Sequence, residues 1–277
     1  MHTSGSTQHS SSCEPNAAHD LDGALFENAT QHLVDDLDTL RVFLGVERWH
    51  VMGHSWSLPP LFSSSQLSFH VPPLNVFSIY EDDFIFQRTC SDSTMYELHT
   101  SCKGSTLALC YAIRFIERVS SLVLGGVFLG SQEDNEYLFE QRARDSYPDV
   151  FDRYASFIRH RPHKALTEDD KQGSLIHAYH KLITDLSDTE TQRAAVSEFV
   201  RLELSLSKTI PDPDRVESIL ADPSTCVPWA AFEAHFMVHR CFLPERYILD
   251  NIHVIRDAKI KVQIIHGRCD FVCKPEV

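Results

Sequence analysis

The chain has 277 residues, 43% of them hydrophobic and 23% charged, with a formal net charge of -14 at pH 7. That length suits one large domain, or a core with a smaller inserted one, and the composition is ordinary for a soluble globular protein. The acidic balance excludes a basic nucleic-acid-binding stripe. No apolar run reaches the roughly 18–20 residues that span a bilayer.

Residues 1–27 are rich in Ser, His, Asn and Pro without periodicity and read as a loop. They carry neither a basic n-region nor an apolar h-region, so a cytoplasmic location is expected. The eight cysteines are scattered, a pattern of reduced thiols rather than a disulfide framework. Cys269 and Cys273 are four apart and do not form CxxC.

From residue 28 the pattern changes. Leu33, Leu37, Leu40 and Leu44 recur at helical spacing, Asn28 or Thr30 offers an N-cap, and Gly45 closes the helix. Arg48–Met52 then reads as a buried strand. A second helix is expected from Ser105 to about Ile116, followed by a strand over Ser120–Leu124. Strand, tight turn, helix and strand in this order predict a parallel sheet of the α/β class.

Residues 57–103 fit neither period. A 47-residue run of Pro-Pro pairs, a Ser triplet and an aromatic patch (Val76–Phe86) is too long for an ordinary loop and reads as an irregular insertion. From about 131 to 250 the pattern is helical, charged and punctuated by Pro148, Pro162, Pro211, Pro213, Pro223 and Pro228, as in a lid inserted between sheet strands. A strand returns only at Lys261–Ile265. Three segments follow: 1–130 as a partial core, 131–250 as a helical cap, and 251–277 as a returning core strand.

Gly53-His54-Ser55-Trp56 directly follows the first strand. A small residue, any residue, then Ser at a strand end begins a nucleophile elbow, whose sharp turn lifts the Ser hydroxyl above the sheet. The same turn aims the next backbone N–H, that of Trp56, at a developing oxyanion. The second small residue is due two positions after Ser55, where Ser57 stands instead of Gly. Joining Trp56 to Gly104 restores it as GHSWGSTLALCYA, with a helix start attached. His235 and His239, four apart on an expected helix, have a metal-ligand spacing but no third ligand to complete it.

The rejoined segment closely resembles the elbow of proline iminopeptidases, α/β-hydrolase-fold serine peptidases that remove N-terminal proline. Further stretches carry the resemblance: ENATQHLVDDLDTLR (27–41), ERVSSLVLGGVFL (117–129), AAVSEFVRLELSLSKTIPDP (194–213), FEAHFMVHRCFL (232–243) and VQIIHGRCDFVCKP (262–275). The resemblance implies an α/β-hydrolase core with a helical cap. It makes Ser55 the nucleophile, Asp270 the triad acid, and Glu203 and Glu233 the cap carboxylates that receive the free amino group of a peptide substrate. It implies no metal and no organic cofactor. An esterase, an amino-acid amidase, and a binding protein that has lost its chemistry are the alternatives.

The resemblance also implies parts not found in this chain. The HGGPG-type loop that supplies the other oxyanion donor is expected upstream of its start, and no histidine follows Asp270. With 57–103 splitting the elbow, these absences predict a misassembled gene product or a pseudoenzyme, unstable or inactive as it stands.

Overall fold

In the computed structural model, residue 25 and residues 29–54, 75–79, 84–88, 104–210 and 212–275 are described. A five-stranded sheet has the order β3-β2-β1-β4-β5, where β1 is Trp49–His54, β2 Asn75–Ile79, β3 Phe84–Arg88, β4 Val119–Gly125 and β5 Lys261–Ile265. β1 runs parallel to β2 and β4, β4 runs parallel to β5, and β3 alone is antiparallel, to β2. Helices pack on this mostly parallel sheet, and the chain is α/β.

Period-two burial explains β1. Trp49, Val51 and Gly53 are buried, whereas His50, Met52 and His54 are half-buried between them. The strand runs two residues beyond the expected Arg48–Met52, because Gly53 and His54 are held by pairing with Ile79, Leu124 and Gly125 despite poor strand propensity. β5 falls on the expected residues. The reading of 57–103 as wholly irregular is corrected at two places: NVFSI and FIFQR, rich in β-branched and aromatic residues, form β2 and β3 and extend the sheet beyond β1.

Helix α1 is Thr30–Phe43, and Gly45 ends it in the left-handed region at φ +66°. Its N-cap is Ala29. Thr30 does not cap; its hydroxyl donates to the Cys241 carbonyl at 2.5 Å, while Asn28 lies outside the described residues. Arg41 is buried and bridges inward, donating from Nε to Asp38 Oδ1 at 2.6 Å and from Nη1 to the Val46 carbonyl at 2.7 Å. Tyr111 Oη donates to the same Asp38 oxygen at 3.0 Å. Helix α2, Gly104–Arg114, carries that tyrosine and lies against β1, β2 and β4, with α1 packed beside it.

Between β4 and β5 the described residues are helical. They form α3 (Gln132–Glu136), a π-helical turn (Tyr137–Arg142), α4 (Ala143–Ser146), α5 (Pro148–His160), α6 (Glu168–Gln172), α7 (Leu175–Thr184), α8 (Thr189–Leu206), α9 (Pro213–Leu220), α10 (Pro223–Val238) and α11 (Tyr247–Asp257). Ser131, Thr167, Asp188 and Asp212 cap α3, α6, α8 and α9 by accepting backbone N–H bonds, satisfying donors that the first turn leaves unpaired. α7, α8 and α10 pack on one another, and α5 packs on α8. Aromatic side chains fill the space between: Tyr154 stacks on Tyr179 at 4.2 Å between centroids, and Phe139 stacks on Phe199 at 5.6 Å. No helix among the described residues is long and apolar enough to cross a membrane.

Candidate active site

The three parallel strands β1, β4 and β5 end in one row, with His54 opposite Gly125 and Gly125 opposite Ile265. The carboxyl edge of a parallel sheet is where such folds build their sites, because loops leaving it can carry chemistry without disturbing the ladder. Ser55 and Trp56 follow this row in the chain but lie outside the described residues.

What frames them is described. A Cβ placed on Gly53 would stand 2.2 Å from the Gly104 carbonyl oxygen and 2.6 Å from Ala108 Cβ. The strand end and the helix start therefore touch, backbone to backbone, across 51 residues of sequence. Only glycine fits at Gly53, the close approach an elbow demands of its flanking small residues. At the same place the first turn of α2 fastens the chain leaving β4. Ser105 Oγ donates to the Gly126 carbonyl at 3.0 Å and accepts from the Phe128 N–H at 3.1 Å, and Thr106 Oγ1 donates to the Phe128 carbonyl at 2.6 Å. Gly126 also donates to the Ile265 carbonyl at 3.0 Å, tying β4's exit to β5's end.

Asp270 lies five residues beyond β5 and is 4% exposed. Its Oδ1 accepts the N–H groups of Val272 and Cys273 at 2.9 and 2.8 Å, so the carboxylate folds its own loop into a tight turn. Its Oδ2 stands 3.3 Å from His266 Nε2, four residues earlier in the chain. Sequence reading did not single out His266. Its i,i+4 spacing from Asp270 is visible, but the turn that brings the two together is a tertiary outcome. The loop is anchored to the helical segment by Phe271, which meets Tyr147 edge-on and lies beneath Arg142, and by an ion pair between Lys274 and Glu133 at 2.6 Å.

Glu233 on α10 is 2% exposed, and Glu203 on α8 is half-buried. The two helices that carry them pack together. Glu203 is also close enough to Tyr154 to act, with burial and Glu140, in raising that phenol's pKa. His235 and His239 do not form a metal cluster: no group of three or more His, Cys, Asp or Glu among the described residues is arranged to hold an ion.

Sheet, strand-end glycine contact, buried acid and helical segment together define an α/β protein with its candidate site at the carboxyl edge of the sheet. No family model matches the chain. It is, however, 28% identical over 250 residues to a proline iminopeptidase of Arabidopsis thaliana, covering 90% of this chain and 50% of that protein. It is equally similar, 28% over 250 residues, to the proline iminopeptidase of Xylella fastidiosa, covering 90% of this chain and 61% of that protein. A putative proline iminopeptidase of Mycoplasma pneumoniae is 27% identical over 251 residues, 62% of its length. The chain thus spans about half to three fifths of the curated relatives it matches.

Proposed function

We propose that this chain carries the catalytic framework of a serine aminopeptidase releasing N-terminal proline from peptides. Ser55 is the nucleophile, the Trp56 N–H an oxyanion donor and Asp270 the acid of the site. Residues 131–250 act as the cap in which Glu203 and Glu233 receive the substrate's amino group. The observation that supports this most directly is the contact of Gly53 with Gly104, the two glycines of the expected GxSxG motif. Similarity to relatives named proline iminopeptidase supplies the substrate class.

A second reading has its own observation. Asp270 Oδ1 is taken up by two amides of its own loop, and its Oδ2 stands 3.3 Å from Nε2 of His266, an imidazole of the same loop. An acid turned to its own loop does not orient a catalytic base, and a misoriented base lowers turnover by about 10⁴. The polypeptide then binds proline peptides without turning them over efficiently.

One pair of measurements separates the readings. Hydrolysis of proline naphthylamide that disappears in Ser55→Ala supports the peptidase. Calorimetric binding of proline amide without hydrolysis, lost in Glu203→Gln or Glu233→Gln, supports the binding protein. Ester cleavage that persists in both glutamine variants, with no response to proline amide, would overturn both in favour of a different hydrolase.

A further inference from the structure

Three imidazoles from two helices and the turn beyond them meet at one place in the helical segment, with a fourth, His177, three residues before His180 on the same helix. His177 and His180 come from α7, His235 from α10, and His239 from the residue that opens the following turn. His180 Nε2 lies 3.4 Å from His235 Nδ1. The His180 and His235 rings are stacked at 5.6 Å, and the His239 ring lies 4.4 Å from His235 and 6.0 Å from His180.

The turn after α10 closes the group. Arg240, Cys241 and Phe242 are consecutive left-handed residues, at φ +51°, +53° and +55°. Such a conformation costs each non-glycine residue about 1–2 kcal/mol, so it persists only where surrounding contacts impose it. Here it folds Phe242 back, parallel to His239 at 4.8 Å and against His235 at 5.1 Å. Thr30 and Gln31 of α1 hold the carbonyls of Cys241 and Phe242.

The His180–His235 pair has little room for charge. In the neutral pair one N–H lies between His180 and His235, donated by one ring to the lone pair of the other. A first proton can go to an outer nitrogen and leave that bridge intact. A second must enter the bridge, setting two N–H groups and two cations against each other. Burial first, then His235, His239 and His177, hold His180 down to about 4. Burial and His239 likewise lower His235, against the backbone of Leu25, which raises it. Burial, His239 and Lys181 lower His177.

The neighbouring charges are committed elsewhere. Lys181 pairs with Asp170 of α6. Glu140 of the π-helical turn accepts the Leu175 N–H at 3.1 Å. On α8, Glu198 is bound by Arg153 of α5, and Arg201 pairs with Glu217 of α9. Arg240 pairs with Glu245. Glu190 and Glu203 of α8 and Glu233 of α10 are the remaining carboxylates on α8 and α10. None of these carboxylates is among the groups acting on these three imidazoles, on which Lys181 alone of the charges named here acts, at His177.

We propose that His180 and His235, flanked by His177 and His239, form a proton-operated latch: the neutral pair holds α7 against α10, and uptake of more than one proton by the pair on acidification releases them. The sign follows from the depressed pKa values. The neutral pair's contribution is fully present above the ordinary imidazole value of 6.5 and is lost as pH falls from 6.5 toward 4. For His180 alone, that shift makes the open state about twentyfold more populated at pH 5 than at pH 7. The latch does not depend on Ser55 or on the peptidase reading.

Hydrogen exchange of the full chain, corrected for the intrinsic pH dependence of amide chemistry, tests it. Amides of 175–184 and 230–242 should exchange about twentyfold faster at pH 5 than at pH 7, with β1 and β4 unchanged. His180→Gln keeps a neutral partner for His235 and should remove most of that step. Should this variant fail to fold, His235→Gln, which removes the other half of the bridge, should shrink the step instead. A step that persists in whichever of these variants folds, or acceleration spread equally over sheet and helices, overturns the latch.

Discussion

Replacing Gly53 by alanine puts one methyl group where the structure has no space for it. The new Cβ would lie 2.2 Å from the Gly104 carbonyl oxygen, 2.7 Å from its carbonyl carbon and 2.6 Å from Ala108 Cβ. All three belong to the backbone or are fixed directly to it, so no rotamer change relieves them, and α2 must move off β1. Overpacking of this kind typically costs 1–3 kcal/mol; with three rigid contacts, about 3 kcal/mol or more is expected. With an m-value of about 3 kcal/mol/M, this lowers the urea midpoint followed by far-UV circular dichroism by about 1 M. Adding Ala108→Gly removes the 2.6 Å contact but leaves the carbonyl, so it should restore only a minor part. Gly267→Ala is the control: its nearest neighbour is 3.9 Å away and its cost should stay within about 0.5 kcal/mol. A Gly53→Ala protein as stable as the control would refute the contact between strand end and helix start, and with it the approach of the two GxSxG glycines.

The Asp38–Arg41–Tyr111 cluster predicts acid sensitivity. The Arg41 hydrogen bond, assisted by Tyr111 and opposed by burial, lowers the Asp38 carboxyl, so its contribution is present above the ordinary value of 3.8 and fades as pH falls through the lower folded value. Asp38→Asn should destabilise at pH 7 by about 2 kcal/mol, because Arg41 is left buried beside a neutral amide, and the difference should vanish near pH 2 in thermal melts. Gly130→Ala should cost about 1–2 kcal/mol in the same melts, since Gly130 has φ +71° and its Cβ would meet Cys241 Sγ at 2.8 Å.

Local pattern carried much of this architecture. Lys261–Ile265 is a short apolar-rich run that ends at His266-Gly267, and it is β5. The approach of Gly53 to Gly104 was legible as a pair of small residues expected to meet, and they do meet although 57–103 separates them. β2 and β3 were not legible, since their aromatic runs show no sustained period and become strands only by pairing onto β1. Of the histidine group, His235 and His239 were visible as a helical pair. His177 and His180 join them through the packing of α7 on α10, which no local pattern encodes. The same holds for His266, brought to Asp270 by a turn that Asp270 itself stabilises.

β5 is the last strand of the sheet among the described residues, and most of it faces solvent: Val262 is 40% and Ile264 60% exposed. Its outer row of amides and carbonyls can serve as a template for another extended chain, and its apolar side chains reward whatever lies on them. In a concentrated solution that rim is where self-association would begin. Within the described sheet, a charge placed at Ile264 would oppose such pairing without any change to the buried helices.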